Sequence, residues 1–410
     1  MPRLAVLLHE RGAILASFTE KSDTFALTFV KHGTYGFVPG IPSAYTQPLY
    51  GWFLVPLYWI FAREWAVVGL AQIAVATATA LLVLRIGRQE LGARAGLIAT
   101  LVATLNPYLV WHDVHVNREI IDQLVAAALF LVALRAARAG TVALAAAVGA
   151  LCGVAILGNS RDALLPLALA VFVTWRRPRR EVLLAAGAIA AAAAVVLAPW
   201  VIRNKAEVGC YAITTDAHAL WKANNLNTYS TLAHGGWIDD VPPLPGAPKE
   251  TPEYEVGYWV NHHIKKHIDE CAQMTLYRHA TIQFWEHHPG AKVKLMVQAT
   301  RMLWDPRQTR TEGGPTSVGT LRRWAEAVWA IPVYLLALWG LTLVPRRFAA
   351  LSLVFLGYET FAAWLFAGAT RYRIAFDFVL ALLAGAALDR LLSRSRYTPA
   401  TPSADAPAEN

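Results

Sequence analysis

The sequence predicts an all-α polytopic membrane protein, and three observations predict it. Hydrophobic residues make up 56% of the 410 positions and charged residues only 16%, against about 25% in a soluble domain. Mean hydropathy is +0.38, and the apolar residues gather in runs near the roughly 20 residues that cross a hydrocarbon core. The chain also carries 15 tryptophans, whose rings suit the membrane–water interface. A soluble enzyme, a secreted disulfide scaffold and a disordered tail protein are excluded by this composition.

In chain order, residues 1–48 read as an extracytoplasmic first loop with amphipathic helices. Within them, 4–18 reads as a degenerate first helix, unless the natural start lies upstream of Met1. No cleavable signal peptide is evident, because His9, Glu10 and Arg11 interrupt the apolar run. Segment 49–62 is too short to span and is expected half-inserted or on the surface. Residues 49–200 hold spans near 66–86, 95–111, 120–138, 141–158, 161–175 and 182–200. A mixed extracytoplasmic insertion follows over 201–325, turn-rich at 241–246 and helical over stretches such as 253–288. Spans near 326–344, 348–366 and 374–392 complete about nine or ten transmembrane helices, and 393–410 reads as a disordered cytoplasmic tail.

The net charge of +9 invites a nucleic-acid partner, and the placement of the charges excludes one. Arginines cluster between apolar runs, as at Arg176-Arg177-Pro178-Arg179-Arg180, where they fix topology by the positive-inside rule. Arg85, Arg88 and Arg94, Arg135 and Arg138, Arg346 and Arg347, and Arg390, Arg394 and Arg396 all fall on the same cytoplasmic side. That assignment puts all twelve histidines and all nine lysines outside. Three cysteines are too few for a metal cluster. Cys210 and Cys271 are the two outside, where an oxidising exterior lets them pair, unless they are separate buried thiols.

Ionisable groups near a membrane are costly and usually functional, and here they collect at the outer ends of spans. Glu20 and Asp23 would share a helix face, a pair suited to general-base work or to a divalent cation, or else simply a helix cap. The loop from Asn106 to Glu119 brings His112, Asp113, His115, Arg118 and Glu119 together. These residues fit metal ligation, substrate positioning or plain hydration. Gly158-Asn159-Ser160-Arg161-Asp162 reads foremost as an ion pair opening a span. Arg203 and Lys222 suit a lipid phosphate, and Trp221, Asn224 and Asn225 are residue types that bind sugars. Arg371 and Arg373 repeat the basic theme at another outer mouth. No Gly-rich phosphate loop and no internal repeat is present.

The order of these motifs carries a resemblance. An early acidic site is followed by Ser43-Ala44-Tyr45-Thr46-Gln47-Pro48-Leu49-Tyr50. Then come Asn106-Pro107 leading to Glu119, Pro199-Trp200-Val201-Ile202-Arg203-Asn204, Leu220-Trp221-Lys222-Ala223-Asn224-Asn225 and Arg371-Tyr372-Arg373. Over roughly 20–392 the set resembles the family 39 polytopic glycosyltransferases, the protein-mannosyltransferase and aminoarabinose-transferase group with the GT-C fold. The resemblance implies a polyprenyl-phosphate sugar donor and transfer on the outer face to a glycan, lipid or protein acceptor. It also implies a first-loop carboxylate as base, carried here by Glu20 or Asp23. Glu119 matches the acid of the family's second outside loop. Arg203, Lys222 and Arg371 or Arg373 stand as donor-phosphate contacts, with His115, Trp221, Asn224 and Asn225 as further substrate contacts. No cofactor is implied beyond a divalent cation as a candidate, and the metal ligands are left unassigned. The rival readings are a transporter or flippase of lipid-linked glycans, a non-catalytic membrane assembly protein, and an oligosaccharide ligase releasing a diphosphate.

Overall fold

The structure, a computed structural model, describes residues 2–16, 20–247, 252, 268–307 and 320–394. Among the described residues the chain is helical, with one isolated bridge between Val38 and Ile41 and no strand. Four helices are long and apolar enough to cross a membrane: α4 (Trp65–Glu90), α7 (Glu119–Ala139), α10 (Arg179–Glu207) and α16 (Arg346–Leu365). Shorter apolar helices accompany them, among them α3 (Pro48–Phe61), α5 (Ala93–Thr104) and α8 (Val142–Gly158). The chain is a multi-pass membrane protein.

The expected spans differ from the helices where local chemistry interrupts them. Segment 95–111 is broken, because Asn106 caps a new helix, α6 (Pro107–His112), accepting from the backbone N–H groups of Tyr108 and Leu109. Pro107 at its first position disfavours helical geometry in the residue before it. Segment 161–175 opens as a 3₁₀ turn over Ser160–Leu164, and only then becomes α9 (Leu165–Thr174). Segment 374–392 likewise opens as a 3₁₀ turn, Ile374–Phe376, before α18 (Asp377–Arg394). Segment 49–62 is one regular helix of 14 residues, α3. Of the helical stretch 253–288, the described part is α13 (Glu270–His287). Residues 253–267 and the tail from 395 lie outside the described residues.

The apolar core sits where α7, α16 and α18 meet. The Phe130 ring makes edge-on contacts with Phe348 at 5.2 Å, Phe355 at 5.2 Å and Phe378 at 5.8 Å. Such pairs contribute about 0.5–1.5 kcal/mol each beyond their buried area. Small residues bring helices close elsewhere. Gly149 and Gly153 of α8 lie against α10 with no room for a Cβ, and Gly87 of α4 meets Gly96 of α5 in the same way.

The insertion is built from short helices α11 (Ala217–Lys222) and α12 (Thr228–Ala233) and longer helices α13 and α14 (Pro289–Trp304). A disulfide joins Cys210 to Cys271 across 61 positions, with Cα atoms 5.9 Å apart, and Cys152 stays free and buried. Lys292 of α14 fastens the insertion to the membrane helices, donating to Asn224 Oδ1 and to the carbonyl of Trp364 near the end of α16. Burial pulls the Lys292 ammonium down to about 8.

Two outcomes follow from this insertion. Alkylation of the denatured, unreduced protein is expected to label one cysteine and, after reduction, three. Cys271→Ser is expected to lower stability by about 4 kcal/mol, the chain-entropy value for such a loop. Labelling of three cysteines without reductant contradicts the bridge. The second outcome concerns pH. The folded value of about 8 for Lys292 lies below the unfolded value of about 10.4, so between them the unfolded chain binds more protons. Stability is thus expected to rise from pH 8 to 10 by roughly 1 kcal/mol per unit at most, a slope that Lys292→Met removes in a denaturation series.

Candidate active site

Several helix starts converge on a cavity of about 200 Å³. Glu20 precedes α2 (Lys21–His32) and Gln47 precedes α3, each with extended backbone, while Arg118 stands just before α7. Ser160 and Arg161 come from the 3₁₀ turn after α8, which Asn159 caps by accepting from the Arg161 backbone N–H. Arg371 and Tyr372 come from α17 (Thr370–Arg373), and Asp216, Ile238 and Asp239 of the insertion complete the lining. Helix N-termini carry partial positive charge, so their convergence favours an anion in the space between them.

The side chains add to that field. Arg371 pairs with the Glu20 carboxylate, and its Nε–H donates to Glu119, a residue only 2% exposed. Arg118 donates from Nη1 to Gln47 Oε1 at 2.7 Å, and Gln47 in turn donates to Ser160 Oγ at 2.9 Å. Arg161 donates to the Ala367 carbonyl at 3.0 Å and to Glu359 at 3.3 Å, with its guanidinium 4.0 Å from the centre of the Tyr372 ring. The Nε–H groups of Arg118 and Arg161 are both buried without a hydrogen-bond acceptor, and that of Arg118 lies 3.9 Å from Glu119 Oε1.

Of the residues singled out from the sequence, Glu20 and Arg371 line this cavity, and Glu119 lies directly behind Arg371. Asp23 does not share the face of Glu20. It accepts from the Tyr58 hydroxyl and from Arg63 Nε and Nη2, the latter at 2.7 Å, and is 6% exposed. The helical spacing argument fails here because Glu20 has extended backbone, one residue outside the helix. His115 is fully buried, its Nδ1 at 2.8 Å from the Trp111 carbonyl and its ring 3.8 Å from that of Trp111.

The basic and amide candidates from the insertion hold the fold together. Arg203 donates to the carbonyls of Ser43 at 2.8 Å and Tyr35 at 3.0 Å. Lys222 donates to the Asp239 carbonyl at 3.0 Å. Trp221 packs on Tyr277 in a buried cluster, which removes its face from any sugar. Asn224 bridges Trp285, Lys292 and the Leu365 carbonyl, and Asn225 closes the end of α11 through the carbonyls of Trp221 and Lys222. Arg373 is fully buried with Asp377, Glu326 and the Leu303 carbonyl, away from the cavity. Among the described residues no three His, Cys, Asp or Glu side chains are grouped to hold a metal ion. Lys21, Gln47, Arg118, Ser160, Arg161 and Tyr372, which the sequence offered only within wider motifs, also line the cavity. The signal that marks them is their position at helix starts beside those already chosen.

A family model described as dolichyl-phosphate-mannose-protein mannosyltransferase matches residues 43–202. No curated protein matches by sequence. Among solved structures, the archaeal oligosaccharyltransferase AglB from Archaeoglobus fulgidus, in complex with an inhibitory peptide and a dolichol-phosphate, is similar with a TM-score of 0.51 and 14% identity. The match covers 98% of this chain and 52% of AglB, so the chain spans about half the length of that relative. ArnT from Cupriavidus metallidurans bound to undecaprenyl phosphate matches with a TM-score of 0.43 and 15% identity over 96% of this chain and 78% of that one. Its apo form gives 0.40 and 16% over 92% and 73%. The chain thus shares its fold with AglB, and residues 43–202 match a family model of the protein-mannosyltransferase kind that the ordered motifs resemble.

Proposed function

We propose that the chain is a membrane glycosyltransferase that moves a sugar from a polyprenyl-phosphate donor to an envelope acceptor, with this cavity as the transfer site on the extracytoplasmic face. The observation that carries the reading is the meeting of Glu20 with Arg371, Arg118 and Arg161 in one cavity. The matched family model describes a dolichyl-phosphate-mannose transferase, and AglB was solved with a dolichol-phosphate. Both point to the same class of donor. The distribution of histidines, lysines and arginines supports the outer face.

In this reading Glu20 is the base. It takes the proton from the acceptor hydroxyl or amine as that atom bonds to the anomeric carbon of the sugar. The bond between that carbon and the phosphate oxygen breaks, and the electron pair leaves with the lipid phosphate. Arg118 and Arg161, which line the cavity, stand beside that phosphate and stabilise its growing charge. Arg371 pairs with Glu20 and fixes its direction. Asp23 is left out of the chemistry because Tyr58 and Arg63 occupy its carboxylate. The acceptor enters beneath Asp216 and Asp239 of the insertion.

Two sets of variants test this reading. Glu20→Gln is expected to cut turnover about 10²–10⁴-fold with little change in stability. Asp23→Asn is expected to do the reverse in kind, costing roughly 3 kcal/mol in unfolding by leaving Arg63 without its partner. Steady-state rates and thermal unfolding of both variants decide the matter, and a fully active, stable Glu20→Gln protein would rule out Glu20 as base. Arg118→Ala and Arg161→Ala should each raise the donor KM roughly tenfold or more, the value of a lost hydrogen bond to a charged group. Arg161→Lys should not restore it, because a point charge does not replace the fork stacked on Tyr372. Donor titrations indistinguishable from wild type in both alanine variants would remove these arginines from the site.

A further inference from the structure

We infer that Glu270, in the first turn of α13, is a positioning residue for the cavity, and that the adjacent Cys210–Cys271 disulfide makes transfer sensitive to external thiols. The inference rests on the reading of the cavity as the transfer site.

The Glu270 carboxylate is 5% exposed and receives three donors. Ser43 Oγ–H donates to Oε1, while the Ala44 backbone N–H at 3.0 Å and Thr215 Oγ1–H at 2.7 Å donate to Oε2. Ser43 and Ala44 run directly into Tyr45, Thr46 and Gln47, three consecutive residues of the cavity lining. The same stretch is held from the insertion by Thr215 N–H to the Ala44 carbonyl at 3.0 Å and by Thr214 Oγ1–H to the Tyr45 carbonyl at 2.8 Å. Displacing 43–47 would withdraw Gln47 from Arg118 and Ser160, and the Tyr45 ring from the Lys21 ammonium 4.6 Å away. The cavity wall is thus braced from outside the membrane.

An amide could keep these contacts only in one orientation, its oxygen accepting from Ala44 and Thr215 and its NH₂ donating to Ser43 Oγ, whereas an alanine keeps none of them. Burial raises the Glu270 carboxyl, opposed by the bonds from Ser43, Thr215 and Ala44. Such a group keeps its place only while all its donors are in register.

The disulfide supplies that register. Cys271 follows Glu270 directly, and Cys210 opens the segment leading to Thr214 and Thr215. The cross-link therefore ties together the two halves of the brace, which are otherwise joined through a loop of 61 positions. Both cysteines are partly exposed. An external dithiol would reduce the bridge by two electrons, taking the disulfide bond itself and leaving Cys210 and Cys271 each as a thiol.

The test uses the full chain in lipid nanodiscs: wild type with and without dithiothreitol, Glu270→Ala, Glu270→Gln and the Cys210→Ser/Cys271→Ser pair. Hydrogen exchange is followed in the peptide spanning 43–47, and kcat and KM are measured with a polyprenyl-phosphate sugar. Exchange at 43–47 is expected to speed up roughly tenfold in reduced wild type, Glu270→Ala and the cysteine pair, while Glu270→Gln, α7 and α18 keep their protection. Turnover is expected to fall by a similar factor, and reoxidation of reduced wild type should recover both. Unchanged exchange in Glu270→Ala overturns the brace, and so does faster exchange with unaltered kcat and KM. Exchange in Glu270→Gln as fast as in Glu270→Ala overturns the hydrogen-bonded brace, because the amide can still meet Ser43, Ala44 and Thr215. Full activity after complete reduction overturns the thiol sensitivity. An inactive wild type counts against the transfer reading, while the exchange data still decide the brace.

Discussion

Arg371 is the group on which the cavity depends. A guanidinium removed from water is tolerated only when its charge is met, and Arg371 is met by two carboxylates from distant parts of the chain. Glu20 brings in the first loop, and Glu119 brings in the start of α7. Loss of Arg371 would leave the Glu119 carboxylate, only 2% exposed, with the more distant Arg118 and His112 at 3.9 Å as its charged neighbours. The direction of Arg371 is set by its neighbour on α17. Arg373 is fully buried and gripped by Glu326 and Asp377, and residues two apart on a helix point to nearly opposite sides. One turn of four residues therefore anchors itself inward through one arginine and presents the other to the cavity.

The same need for pairing explains how legible the protein was. Apolar run lengths gave the membrane helices with errors at their ends, where Asn106-Pro107 and the 3₁₀ turn at Ser160 interrupt the helical pattern. Glu20 and Arg371, both named from the sequence, do meet in the cavity, though spacing alone gave no hint that they pair. Arg161 read as a partner of its neighbour Asp162, whereas its carboxylate partner is Glu359, 198 positions away. Arg118 was named with the loop before α7 and Gln47 within the Ser43–Tyr50 motif, without any sign that the two side chains meet. Spacing reports on neighbours within a turn or two. It carries nothing about partners brought together by the fold, and every pairing that defines this cavity is of that second kind.

Residue type misled where polar side chains serve the backbone. Trp221, Asn224 and Asn225 have the chemistry of a sugar site, yet the short helices of the insertion expose carbonyls and N–H groups that need partners. Asn224 and Asn225 satisfy several of them, and Trp221 fills the space between α11 and α13. Arg203 shows the same economy. Its guanidinium reaches two carbonyls of the first loop and lies 5.0 Å from the centre of the Trp200 ring, so a residue with the chemistry of a phosphate ligand instead ties α10 to residues 35–43.

The family match over 43–202 divides the cavity in an instructive way. It contains Gln47, Arg118, Ser160 and Arg161, the groups suited to a phosphate. Glu20, Arg371 and the aspartates of the insertion come from outside it. A donor phosphate is a constant demand, whereas the acceptor and the proton it gives up vary with the substrate. In the proposed reading, the matched helices would face the donor, and the first loop, the insertion and α17 would face the acceptor. Glu270 sits at the seam, since it ties Ser43, the first matched residue, to the insertion. A brace at that position couples the two parts of the cavity wall.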